Sequence, residues 1–140
     1  MDNTSNRSLA LVTGASSGIG LELAKEFARN DFDLIVAAED GDLAGATAEL
    51  ERLGASVDAV QVDLATPDGV ERLWQRVQGA GRPLEAAALN AGVGSGGSFA
   101  ETPLKDELRL VDLNVRSTVH LAKYVVRDMA ERGQGRILFT

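Results

Sequence analysis

Cysteine is absent from the 140 residues, and histidine and tyrosine each occur once, at His120 and Tyr124. Without cysteine there is no disulfide framework, no thiolate nucleophile and no zinc ribbon, and a single histidine cannot build a histidine-rich metal site. Positive charge is also scarce, with 14 Lys and Arg against 21 Asp and Glu and a formal net charge of −7. Such a surface releases no counterions from nucleic acid or anionic lipid, which argues against both as partners. No apolar run reaches the roughly 18 to 20 residues of a membrane helix. The stretch from Met1 to Ser8 is polar, without the apolar core of a secretory signal, so a cytoplasmic protein is expected.

What remains is ordinary globular composition, 44% hydrophobic and 25% charged, in a length that suits one domain. After the lead-in of residues 1–8, short apolar runs alternate with segments of helical period. Leu9 to Thr13, Asp33 to Ala38, Val57 to Val62 and Leu84 to Leu89 read as strands, and Arg136 to Thr140 begins a fifth. Between them, Ile19, Leu23 and Phe27, flanked by Ala24 and Ala28, mark one helical face. Leu43, Thr47, Leu50 and Leu53 mark a second helix, stopped by Gly54. Thr66-Pro67-Asp68 supplies a cap, a proline at the first helical position and an acid in the first turn of a third helix carrying Val70, Leu73 and Val77. Gly92 to Gly97 is a glycine-rich loop, and Thr102-Pro103 repeats the helix-start signal. From Leu104 an apolar stripe (Leu108, Val111, Val115, Val119, Ala122, Val126 and Met129) predicts one unbroken helix to Gly133. Strands alternating with helices predict an α/β fold with a doubly wound parallel sheet.

The turn after the first strand is Thr13-Gly-Ala-Ser-Ser-Gly-Ile-Gly20. Glycines there let backbone approach a ligand closely, and the start of the following helix favours negative charge. The spacing Gly-x-x-x-Gly-x-Gly differs from the commoner G-x-G-x-x-G fingerprint, and no Lys-Ser or Lys-Thr pair follows it as in a P-loop. A tight strand-to-helix turn alone would also use three glycines.

This turn resembles the cofactor loop of the short-chain dehydrogenases/reductases, and the resemblance extends over residues 8–140. Asp63-Leu64 resembles the family's adenine-contacting pair. Asn90-Ala91-Gly92 resembles its Asn-Ala-Gly motif, with Leu89 where another Asn usually precedes it. Asn114 matches the active-site asparagine, and Gly135 to Thr140 resembles the strand leading to the catalytic serine. The resemblance implies a Rossmann-like nicotinamide-dinucleotide domain over residues 9–140. Its cofactor-binding residues are Gly14, Ser16, Ser17, Gly18, Ile19, Gly20, Glu39, Asp63, Leu64, Asn90, Ala91 and Gly92, and its catalytic position is Asn114.

Glu39 lies 19 residues after Gly20, at the end of the second strand. An acid there can accept both ribose hydroxyls of NAD and repel the extra phosphate of NADP. Relatives that prefer NADP often carry a basic residue at that position or in the turn. This turn holds Ser16 and Ser17, and the sequence nearby has no Lys or Arg, so NAD is expected over NADP. Ala38 departs from the Asp of many NAD-preferring relatives.

The reaction that the resemblance implies is hydride transfer between an alcohol and a carbonyl, which needs a group to move a proton at the substrate oxygen. In the family a Tyr does this, with a Lys four residues later and a Ser, all beyond position 140. Tyr124 has Asp128 four residues later and Lys123 about 100° around the helix, so it is no substitute. The sequence therefore predicts the cofactor-binding part of an oxidoreductase, truncated at the fifth strand and unable by itself to reduce a carbonyl. Alternatives are a non-catalytic dinucleotide-binding or partner-binding module, or an inactive remnant. A related methyltransferase fits less well, because it gives no reason for Asn90 to Gly92 or for Asn114. The edge with Ile137 and Phe139 and the apolar face of the long helix predict self-association or marginal stability. His120 and Trp74 are expected at the surface or in packing.

Overall fold

The computed structural model describes residues 6–140. Five strands form one parallel sheet in the order β3-β2-β1-β4-β5: β1 Ser8–Thr13, β2 Phe32–Ala38, β3 Val57–Gln61, β4 Leu84–Leu89 and β5 Arg136–Phe139. The helices are α1 Gly18–Arg29, α2 Leu43–Arg52, α3 Pro67–Gly79, α4 Leu104–Val111 and α5 Ser117–Arg132. The central strands are apolar at successive positions because both faces of the sheet are covered. Ala10, Val12, Leu34, Val36, Ala86 and Ala88 face α1 and α2. Their neighbours Leu9, Leu11, Ile35, Ala37, Ala87 and Leu89 face α3 and α5.

Small residues set the close approach of α1. Ala24 and Ala28 are buried against the sheet, whereas Leu23 and Phe27 are only partly buried. Ile19, on the same helical face by spacing and a cofactor-binding candidate, is 66% exposed in the first turn of the helix. The start of α3 follows its sequence signal. Thr66 Oγ1 accepts the Gly69 N–H at 3.1 Å, Pro67 takes the first helical position, and Asp68 lies in the first turn. At the start of α4 the cap moves by one residue. Pro103 occupies the cap, and the Thr102 hydroxyl donates to the Glu107 carboxylate instead.

The long helix departs most from the sequence pattern. It is interrupted at Asp112–Arg116 by a π turn centred on Asn114. Most of the apolar stripe forms an outward face, in keeping with the expected uncovered face of this helix: Leu104 is 66% and Val119 62% exposed, with Leu108, Val111, Val115 and Val126 exposed beside them, whereas Met129 at its end is buried. The buried face is Leu113, Ser117, Leu121, Val125 and Met129. The helix thus carries apolar residues on two sides, and periodicity alone cannot say which side meets the sheet.

At the N-terminal edge of the sheet, Asp33 is buried and its carboxylate gathers three chain segments. It accepts the Ser56 N–H at 2.9 Å, pairs with Arg82 Nη1 at 2.9 Å, and lies 3.1 Å from Arg7 Nε. Arg7, placed in the lead-in by sequence, also donates to the carbonyls of Ala28 and Phe32 at 2.6 and 2.9 Å. Ser8, the last residue of that lead-in, already pairs with Phe32 in the sheet.

Candidate functional site

From β1 the chain winds outward through β2 to β3, then returns to the other side of β1 with β4 and β5. The loops after β1 and β4 therefore separate at the C-terminal edge, where open α/β sheets form their ligand crevice. Thr13 ties these two loops together. Its side chain is buried, and its hydroxyl oxygen accepts the N–H groups of Asn90 and Ala91 at 2.9 and 3.0 Å. In return, Asn90 Nδ2 donates to the carbonyls of Thr13 and Gly14 at 3.2 and 3.3 Å.

Two glycines make this contact possible. Gly14 has φ of +65°, and a Cβ there would meet the Ala91 Cα at 3.0 Å. A Cβ on Gly20 would lie 2.0 Å from the Gly14 carbonyl oxygen, so α1 seats directly on the turn only without one. Gly18, with φ of +57°, faces open space. The Ser17 side chain does not cap α1, and no acid occupies its first turn. The first N–H groups of α1 thus face the crevice as donors for an anion.

A cleft of ≈ 200 Å³ adjoins this turn and is lined by, among others, Gly14, Ser16, Ala38, Asp63, Gly92 and Leu113. Ser16 donates to Asp40 at 2.8 Å, which fastens the turn to the end of β2. Leu64 is buried in the core beside the cleft. Glu39 and Asp63 are joined by Arg109 from the last turn of α4. Arg109 Nη1 and Nη2 reach Asp63 at 3.0 and 3.2 Å, and Nη2 reaches Glu39 at 2.6 Å. The expectation that no basic residue stands near Glu39 is therefore corrected. The cation comes from a helix 70 residues further along the chain. The arginine holds the Asp63 carboxyl below its usual range, helped by the Ala65 N–H, and Asp63 in turn raises the Arg109 guanidinium.

On the other side of the cleft, Asn114 is committed to the backbone of the Gly92–Gly97 loop. Its Oδ1 accepts the Val93 N–H at 2.8 Å and its Nδ2 donates to the Val93 carbonyl at 2.8 Å. The π turn sets the amide toward the loop. Carbonyls around it are taken up by side chains: the Ser117 hydroxyl donates to Leu113 and the Thr118 hydroxyl to Asn114. Asn114 is thus a positioning residue for the loop in this arrangement. The Thr140 hydroxyl donates to Asn90 Oδ1 at 2.6 Å, bringing the end of β5 to the same place.

The structure gathers every sequence-predicted residue around this edge, with Ile19 on the exposed rim. Sequence reasoning missed Thr13 and Arg109. Thr13 carries a local signal, a hydroxyl at the last position of an otherwise apolar strand; Arg109 carries none. Tyr124 and His120 lie elsewhere, both within hydrogen-bond reach of the Glu71 carboxylate, with Tyr124 stacked on Trp74. A larger cleft of ≈ 780 Å³ lies between α1 and β5, lined by apolar residues such as Phe27, Phe32 and Ile137 together with Glu26, Glu85 and Arg136, and includes none of the glycine-turn residues. Among the described residues no cluster of three His, Asp or Glu suits a metal ion, and no helix is long and apolar enough to cross a membrane.

The donor set fits a dinucleotide: N–H groups at a helix start for a pyrophosphate, and carboxylates beyond β2 and β3 for an adenosine. Comparison with known proteins agrees with that geometry. The sequence model of the family described as short chain dehydrogenase matches residues 8–140. The chain is 38% identical over 128 residues to 1-deoxy-11-beta-hydroxypentalenate dehydrogenase of Streptomyces exfoliatus, covering 89% of this chain and 46% of that one. It superposes with a TM-score of 0.87 and 32% identity on a bulky-bulky ketone specific alcohol dehydrogenase from Comamonas testosteroni, covering 96% of this chain and 54% of that one. L-sorbose reductase from Gluconobacter frateurii, solved with NADPH and L-sorbose, matches with a TM-score of 0.87 and 33% identity, over 99% of this chain and 54% of that one. The chain spans about half the length of the relatives it matches.

Proposed function

Because this chain belongs to the short-chain dehydrogenase family, we propose that residues 9–140 form the cofactor-binding part of an oxidoreductase interconverting an alcohol and a carbonyl, with NAD preferred over NADP. One observation carries the proposal: a glycine turn and an uncapped helix start, locked by Thr13 and Asn90 onto the loop after β4, at the crevice between β1 and β4. The bound dinucleotide supplies the hydride donor or acceptor. This chain's residues hold and orient it. The N–H groups at Gly18, Ile19 and Gly20, with Gly14, Ser16 and Ser17, receive the pyrophosphate. Glu39 accepts the ribose hydroxyls, Asp63 and Leu64 flank the adenine, and Asn90, Ala91 and Gly92 border the nicotinamide end. Asn114 fixes the loop at that end. The preference for NAD rests on Glu39 beyond β2 and on a glycine turn that carries serines and no basic residue. Small-molecule alcohols or carbonyls are substrates only where the Ser, Tyr and Lys of the family pattern, which these 140 residues do not contain, are supplied by further chain; by itself the chain binds cofactor without reducing a carbonyl. The cytoplasm is the compartment.

Titration of the 140-residue chain with NADH, followed by nicotinamide fluorescence, tests the reading. Binding that is lost in Gly14→Ala and weakened about tenfold in Glu39→Ala is expected. The absence of any NADH signal from the unaltered, folded chain would refute it.

A second reading is a module that also associates through α4 and α5. The supporting observation is their outward apolar strip, from Leu104 to Val126, continued by the exposed Phe139. Sedimentation showing a dimer that Val119→Glu dissociates supports self-association, and a monomer at all concentrations excludes it.

A further inference from the structure

Arg109 is the cation that the local sequence around Glu39 lacks, and its attachments are unequal. Asp63 grips it with both carboxylate oxygens, at 3.0 and 3.2 Å, and Asp63 is itself fixed by the Ala65 N–H at 2.9 Å. Glu39 takes only the Nη2 arm, at 2.6 Å. The Glu39 backbone is held separately, because its carbonyl accepts Gln61 Nε2 at 2.9 Å. Nη2 is shared, one N–H to Asp63 and one to Glu39, so removing the Glu39 side chain frees one N–H of Nη2 while leaving the arginine anchored by Asp63 over the end of β3. A fixed guanidinium with a free N–H and its full positive charge is a strong partner for phosphate.

We propose that Arg109 is the specificity-determining residue of the adenosine end, a phosphate-binding cation held occupied by Glu39. This inference rests on the reading that the cleft takes a nicotinamide dinucleotide. If Glu39 engages the ribose hydroxyls, a phosphate carried on the 2′ oxygen faces the same guanidinium arm that Glu39 now neutralises. NAD is then preferred for two reasons at once: a carboxylate repels the 2′-phosphate, and the same carboxylate consumes its natural counter-charge. The two reasons make different predictions. Loss of repulsion alone would help NADP whatever stands at position 109. Release of Arg109 helps only while Arg109 is present. Asp40 remains nearby, bound to Ser16 at 2.8 Å, and limits the gain without removing it.

The test is a double-mutant cycle on the 140-residue chain with Glu39→Ala, Arg109→Gln and the pair. The ligands are 5′-ADP and 2′,5′-ADP, which address the adenosine end without needing the nicotinamide end. Calorimetric titration gives the ratio of their affinities, and circular dichroism melting checks that each variant is folded. Arg109→Met keeps the stem's packing, removes the cation, and replaces Gln with the same expectation if Gln costs the fold. Glu39→Ala is expected to shift the ratio toward 2′,5′-ADP by about tenfold or more, and the pair to lose most of that shift. A shift undiminished in the pair overturns the role of Arg109, as does an unchanged ratio in Glu39→Ala that still binds 5′-ADP. If the unaltered chain binds neither 5′-ADP nor NADH, the cofactor reading itself fails and takes the inference with it. Binding of 5′-ADP without NADH fails the nicotinamide part alone.

Discussion

Gly20→Ala adds one methyl group at the third residue of α1, and the structure says how badly it fits. The new carbon would lie 2.0 Å from the Gly14 carbonyl oxygen, 2.5 Å from Asn90 Nδ2 and 2.7 Å from the Gly14 carbonyl carbon. Contacts under 3.0 Å are not tolerated, so the helix start must withdraw by about 1 Å from the turn. Overpacking of this kind costs about 1 to 3 kcal/mol. Displacing Asn90 Nδ2 from the Thr13 and Gly14 carbonyls adds about 1 kcal/mol. Better helix propensity returns about 1 kcal/mol, leaving a net loss of about 2 kcal/mol. In urea, with a slope near 2 kcal/mol per M, the midpoint should fall by about 1 M. Two controls frame the result. Gly45, inside α2 with open space around it, should gain about 0.5 kcal/mol on change to Ala. Gly18→Ala meets no clash but holds a left-handed φ of +57°, at a cost of about 1 kcal/mol. A Gly20→Ala midpoint within about 0.3 M of the unaltered chain would refute the reasoning.

Thr13→Val keeps the volume of the side chain and removes the oxygen that accepts from Asn90 and Ala91. A loss of about 2 kcal/mol is expected in the same denaturation assay, with Thr13→Ser close to the unaltered chain; equal behaviour of Val and Ser would contradict the hydroxyl's role. Asp63 titrates below its usual range because Arg109 holds it. Its contribution is therefore complete above about pH 4 and is lost as pH falls through the lowered value. The melting temperatures of the unaltered chain and Arg109→Gln should differ slightly at pH 5 to 7, and the difference should shrink as pH falls below about 4. The gap should be under about 1 kcal/mol, since the pair is partly solvent-exposed. A gap that does not shrink as the carboxylates are titrated into the acid range would detach the effect from them.

The strands and the crevice were legible because their signals are local. Leu9 to Val12 and Leu34 to Ala37 are apolar at every position, as sheet interiors covered on both sides require, and the Gly14-to-Gly20 turn carries its own spacing. The cap at Thr66 likewise needs only three neighbouring residues. Arg109 was invisible because its partners lie 46 and 70 residues away, and only the return of α4 over the ends of β2 and β3 brings it there. The buried side of the long helix was not legible for a different reason. Val111, Val115 and Val119 keep helical spacing as faithfully as Leu113, Leu121 and Val125, and only packing chooses between the two stripes. Asn114 drew attention as a poor helix former between apolar residues, but the π turn it occupies has no signature in the spacing.

Asp33 braces the sheet at the end opposite the crevice with a single buried charge. One buried carboxylate, drawing on Arg82, Arg7 and the Ser56 amide, works as a hoop around the foot of the staves. Strand alignment is thereby fixed from below. The opposite rim is free to be built from glycine, serine and asparagine, residues that tolerate unusual backbone geometry and lend little rigidity of their own. A substitution at Asp33 is therefore expected to disturb ligand binding at the far rim without touching it, by letting the staves slide.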